Sequence, residues 1–133
     1  VNLEIYGNQD WFLGKGFESS PEISNKLTFD SDYFIDFNDA SFKEFSTVFK
    51  KTAGIETNRN ILYGYDTAKY ILTVIRNIEP TRKNIKYKIE SGINVTGFHN
   101  NISFDMDRTN KFINIVRFKD GVFELVDKFR SGK

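Results

Sequence analysis

Few residues of this sequence are of a type that does chemistry, and their spacing narrows the choice. His99 is the sole histidine, in Gly97-Phe98-His99-Asn100-Asn101, so a multi-histidine metal site is excluded and no Ser-His pair is recognisable. It reads as a surface-loop histidine. Asp105 and Asp107 alternate like the first ligands of a calcium loop, but the glycine and glutamate such a loop needs are missing, which leaves turn and capping roles. Gly14-Lys15-Gly16 lacks the Gly-Lys-Ser/Thr ending of a phosphate loop and reads as a flexible linker. With no cysteine there is no thiolate site, no disulfide and no cysteine nucleophile. Neither a metal nor a cofactor is expected, and nothing marks the chain as an enzyme.

One cluster differs in kind. Asn8, Gln9, Asp10 and Trp11 follow a short strand-like stretch, with Phe12 beside them, and a strand's C-terminal end is where open α/β sheets bind ligands. Amide, carboxylate and indole groups together can orient a small polar molecule against an aromatic wall. The competing reading puts Trp11 and Phe12 in a core and gives Asn8 and Asp10 to the turn.

The elements that must position these residues follow from periodicity. Val1 to Tyr6 alternates apolar and polar residues and stops at Gly7, a strand followed by a loop. Lys26 to Phe29 reads as a second strand and Ser31 to Phe37 as an extended segment. Phe42, Phe45, Val48 and Phe49 then recur at helical spacing, predicting a helix over Ala40 to Lys51 with Asn38 or Asp39 as cap and Gly54 as stop. A more apolar helix is predicted over Leu62 to Asn77, in an interior layer. A third begins after Pro80 with Thr81 as cap and ends at Gly92. Past Gly92 short strands follow one another: Ile93 to Thr96, Ile102 to Phe104, Phe112 to Phe118 and Val122 to Val126. Asp120-Gly121 turns the last two into a hairpin.

Composition is globular, with 39% apolar and 28% charged residues, and the length suits one small domain. Val1 to Lys50 carries 4 Lys/Arg against 9 Asp/Glu, while the remainder carries 15 against 9. The basic charges are spread among Ile, Tyr and Phe as on solvated faces, so nucleic acid is not expected as a partner. No apolar run is long enough to span a bilayer. The chain starts at Val1 without Met and reads as a processed product or an excised segment, so a missing signal peptide does not argue for the cytoplasm. Fourteen Phe are many for this length, and several are expected to serve a surface the chain alone does not cover. If the segment exists alone, a homodimer exchanging elements is expected.

Several stretches, in order, resemble the type I periplasmic binding-protein family, which includes branched-chain amino-acid-binding proteins of ABC transporters and receptor ectodomains. Tyr63-Gly64-Tyr65-Asp66-Thr67-Ala68 is similar to the family's Tyr-x-Tyr-Asp-Ala helix start. Ile5 to Trp11 looks like the strand and loop that border its cleft, and Ser31 to Phe34 like the segment after the next strand. Val95 to Asp105 resembles its Gly-x-x-Gly-x-x-x-Phe-Asp element, and Ile113 to Leu125 its closing hairpin. The resemblance implies an α/β fold of the type I periplasmic-binding-protein kind in partial form: strand-loop-strand, three helices and a C-terminal β-hairpin, with the N-terminal half absent.

Residues 1–133 would then be a single segment matching the C-terminal part of a two-lobed protein that traps its ligand between hinged lobes. The function implied is that of a non-catalytic, extracytoplasmic module binding a small, polar, amino-acid-like solute in an ABC-type transport or sensing system. A membrane permease or another protein would be its partner. A periplasmic location is implied, with a lipid anchor on the part preceding this segment. Gln9 falls where amino-acid-binding members place a Glu for the ligand's ammonium; a neutral amide lacks that charge-assisted bond, which neighbouring Asp10 can supply. Asp66 is implied to cap and orient its helix and Tyr65 to lie near the hinge. Asp107 to Asn110 looks more like a subgroup fused to helical repeats or acting as a lipoprotein regulator, which implies the alternative of a regulatory or protein-interaction domain.

Overall fold

The computed structural model describes residues 3–12 and 19–132. The Gly14-Lys15-Gly16 linker and the first two residues of the expected opening strand lie outside the described residues. The chain divides into two compact units, Val1–Phe34 with Phe112–Lys133 and, between them in sequence, Ile35–Lys111.

The first unit is built on a four-stranded sheet in the order β1-β2-β5-β6. β1 (Ile5–Gly7) runs parallel to β2 (Leu27–Ser31), with Gly7 opposite Phe29. β5 (Phe112–Lys119) pairs antiparallel to β2, and β6 (Val122–Arg130) antiparallel to β5. Alternation sorts the two faces. Leu27, Phe29, Val116 and Phe118 are buried on one face, and the Phe123 ring meets Phe29 and Phe118 edge-on at centroid distances of 5.8 and 5.0 Å. The expected hairpin is present: Lys119 pairs with Val122, and Asp120 and Gly121 take φ of 50° and 84°, the left-handed geometry a two-residue turn requires. Asn25, just past the short α1 (Pro21–Ser24), accepts a 2.9 Å bond from the Asp120 amide and so fixes the turn from across the unit. β2 ends at Ser31, the first residue of the segment expected to run extended to Phe37. The Ser31 hydroxyl donates to the Tyr33 carbonyl at 2.8 Å and accepts from its amide at 3.1 Å, a local turn that competes with the ladder.

The second unit is helical, with a small two-stranded sheet. α2 (Ala40–Ala53) starts where Asp39 accepts from the Phe42 amide at 2.8 Å and ends at Gly54 with φ of 74°. α3 (Arg59–Ile75) is capped by Asn58, whose side chain accepts from the Ile61 amide at 3.1 Å. It therefore begins a turn earlier than its apolar periodicity alone indicated. α4 (Arg82–Glu90) is capped by Thr81, which accepts from the Asn84 amide at 3.2 Å. β3 (Val95–Thr96) and β4 (Asn101–Ile102) form the antiparallel pair, shorter than the sequence suggested.

Tyr70 and Val74 of α3 form the core of this unit with Val95 and Ile102, and Ile85, Ile89, Ile93 and Phe104 pack against it. α3 is not an interior helix within its own unit. Its buried positions Leu62, Asp66, Tyr70 and Val74 make one stripe at spacing four, whereas Ile71 and Leu72 are 50% and 64% exposed. The apolar count along the helix was real, but in this unit only one stripe is covered. An Asp39→Ala change removes the cap of α2 and is expected to lower the urea midpoint of unfolding, with Asp39→Asn nearly neutral.

Candidate functional site

The loop after β1 is ordered by its own residues. The Asn8 side chain accepts from the Asp10 amide at 3.2 Å, and the Asn8 carbonyl accepts from the Trp11 amide at 3.2 Å, which winds residues Gln9–Phe12 into one turn of 3-10 helix. Trp11 is half-buried and lies over Gly7. A β-carbon on Gly7 would sit 2.6 Å from the indole, so the strand must end in glycine for the ring to close down on it. Two of the four candidate residues thus have structural work, Asn8 in the turn and Trp11 on the strand end. Gln9 and Asp10 stay exposed on the same turn.

The densest polar constellation lies in the helical unit. Asp66, with 0% exposure, is inside α3 and not at its end; the cap is Asn58. Its carboxylate accepts from the Phe98 and His99 amides, each at 2.9 Å, and from the His99 ring. A carboxylate only accepts, so His99 Nδ1 carries the proton in this contact. Burial pushes the Asp66 carboxyl up, but the bonds from the His99 ring and from the two amides outweigh it and hold the group below the ordinary aspartate value.

His99 is consequently not a surface-loop residue: it is 5% exposed, and its ring lies 4.2 Å, centroid to centroid, from that of Tyr63. Gly97 lets the loop come this close. A β-carbon there would stand 2.5 Å from the Asp66 carboxyl and 2.6 Å from the Asn100 carbonyl. Sequence spacing could not pair Asp66 with His99, because the bond joins residues brought together only by the fold. Lys69, one turn on, donates to the Thr96 carbonyl at 2.8 Å and ties the same loop to α3.

Tyr65 sits in an aromatic cluster, 4.4 Å from the Phe45 ring and 5.3 Å from that of Phe98. Asp105 and Asp107 take the turn roles expected of them. The Asp107 amide donates to the Asp105 side chain at 2.9 Å, and Lys111 bridges both carboxylates at 2.8 and 2.9 Å. Among the described residues no three His, Cys, Asp or Glu side chains gather as a metal site would require. No described helix is long and apolar enough to cross a membrane.

Against this geometry the comparisons with known proteins are informative at the level of fold. No protein-family profile and no curated protein matches the chain. Solved structures do. A crystal structure described as a branched-chain amino acid ABC transporter from Rhodospirillum rubrum aligns over 95% of this chain, with a TM-score of 0.69 at 17% identity. An ABC transporter substrate-binding protein from Desulfitobacterium hafniense in complex with Leu aligns over 95% with a TM-score of 0.55 at 15% identity. A solute binding protein from R. palustris in complex with benzoate aligns over 98% with a TM-score of 0.53 at 13% identity. This chain covers 38%, 36% and 38% of their respective lengths. It therefore has the α/β fold of type I periplasmic binding proteins in part, corresponding to a C-terminal portion.

The Asp66 cluster generates a prediction with a definite sign. A carboxyl held below its unfolded value stabilises the fold above that value and loses the contribution as pH falls through the lower, folded one. Asp66→Asn turns an amide group toward donors that need an acceptor, at about 1–3 kcal/mol for each donor stranded. Urea titrations at several pH values should show the variant well below the parent above pH 3.8, the ordinary aspartate value, with the gap narrowing in stronger acid. Equal stability of the two proteins at neutral pH would contradict the assigned role.

Proposed function

We propose that this chain is part of a non-catalytic, extracytoplasmic solute-binding module serving an ABC-type transport or sensing system, and that its ligand is small, polar and amino-acid-like. The observation that carries the reading is the fold match along nearly the whole chain to solved proteins described as a branched-chain amino acid ABC transporter and an ABC transporter substrate-binding protein. The loop Asn8 to Trp11 is the proposed ligand contact. It follows the C-terminal end of β1, where such sheets bind ligands, and presents Gln9 and Asp10 to solvent beside an indole held in place by Gly7. In this reading Asp10 supplies the negative charge that Gln9 lacks for an ammonium group, and Tyr65 and Asp66 serve the architecture. A permease is the proposed protein partner.

A second reading, a regulatory domain of the same fold that binds protein, is favoured by the exposed Ile71 and Leu72 on α3, apolar surface of the kind interfaces use. Thermal melts of the full-length protein against amino acids, short peptides, nucleosides and aromatic acids separate the two. A ligand at about 100 times its Kd adds about 2.7 kcal/mol. The solute reading expects a shift that Asp10→Ala abolishes. An unchanged melt with every compound would overturn it in favour of the protein-binding reading.

A further inference from the structure

The helical unit carries a pocket of its own, between α4 and the turn at 104–108, that the proposed solute loop does not use. Its volume is about 740 Å³, within the range of small-molecule sites. The floor is apolar: Ile85 and Ile89 of α4 and Phe104, the same side chains that pack on the Tyr70–Val74 core. The rim is charged, and its charges do not cancel. Glu90 is engaged by Lys86 at 3.6 Å, and Asp105 shares Lys111 with Asp107 at 2.8 and 2.9 Å, so Arg82, Lys86, Arg108 and Lys111 stand against Glu90, Asp105 and Asp107 and one positive charge is left over.

Arg82 and Arg108 line the same pocket and have no ion pair among the described residues. The Arg108 backbone is also held in place. Its backbone has φ of 60°, a conformation non-glycine residues rarely adopt, and its amide donates to the Asp105 carbonyl at 3.1 Å within the turn that Lys111 grips from the side-chain face. Two guanidinium groups above an apolar floor complement one chemistry in particular: a carboxylate, to which an Arg fork donates two parallel N–H bonds, attached to an apolar body.

We infer that the pocket between α4 and the 104–108 turn is a binding site for a small amphipathic carboxylate, its apolar body on Ile85, Ile89 and Phe104 and its charge between Arg82 and Arg108. The site belongs wholly to the helical unit and stands or falls separately from the solute loop after β1.

Amide NMR of the full chain titrated with octanoate, and with octanol as its uncharged counterpart, tests this. Saturable shifts are expected at residues 82–90 and 104–108 with octanoate, with octanol much the weaker. The Arg82→Gln/Arg108→Gln double variant should bind octanoate about tenfold more weakly or worse, a loss of about 1.4 kcal/mol. Rising salt should weaken octanoate binding to the unmodified protein and leave octanol unaffected, a readout that needs no variant. Asp10→Ala should change none of this. Octanoate shifts that do not saturate, that fall outside these two segments, or that octanol matches in strength and salt response would each overturn the proposal.

Discussion

A carboxylate with no solvent contact stays ionised only if donors converge on it, and the helical unit is organised around that requirement at Asp66. The donors come from one loop: two consecutive amides and the ring of the second residue, His99. Once the loop is drawn onto α3, Gly97 has no room for a side chain. Phe98 is carried in among Phe42, Phe45 and Tyr65 at centroid distances of 5.8, 5.0 and 5.3 Å. Beside the direct Phe45–Tyr65 contact, α2 and α3 thus share a ring whose backbone is held by a charge. β3 and β4 flank the same loop, and the Gly97 amide donates to the Asn100 carbonyl at 3.0 Å across it.

What was legible in the sequence is what is local. Asp39 and Thr81 cap helices because each lies three residues before the amide it receives, and Asp120-Gly121 turns a hairpin because both residues tolerate positive φ. The paired Asp105 and Asp107 were recognisable as turn formers for the same reason. His99 was misread because its partner is a whole helix away in sequence; nothing in Gly-Phe-His-Asn-Asn announces a buried acid beside it. The apolar richness of α3 was visible, but which stripe finds a partner depends on neighbours and not on the helix itself. The Asn58 cap was there to be read, an asparagine three residues before an apolar position.

The candidate loop after β1 shows a related division of labour. Side chains that build the turn, Asn8 and Trp11, are tied to backbone or strand, and the two between them are left exposed. A turn made rigid by some residues presents the others in a fixed direction, which lowers the ordering entropy a ligand must overcome. The same economy appears at Arg108, whose unusual backbone angle is secured by the Asp105 turn.

The sheet has a further consequence, for the history of the fold. β5 and β6 are joined by two residues, whereas β2 and β5, adjacent in the sheet, are separated in sequence by the entire helical unit. The hairpin is assembled from neighbours along the chain, so it can form before Ser31 meets Asn114. Closing that gap is the longest-range strand pairing among the described residues of the first unit, and its entropy grows only with the logarithm of the intervening length. The length of that connection therefore slows the completion of the sheet more than it weakens it.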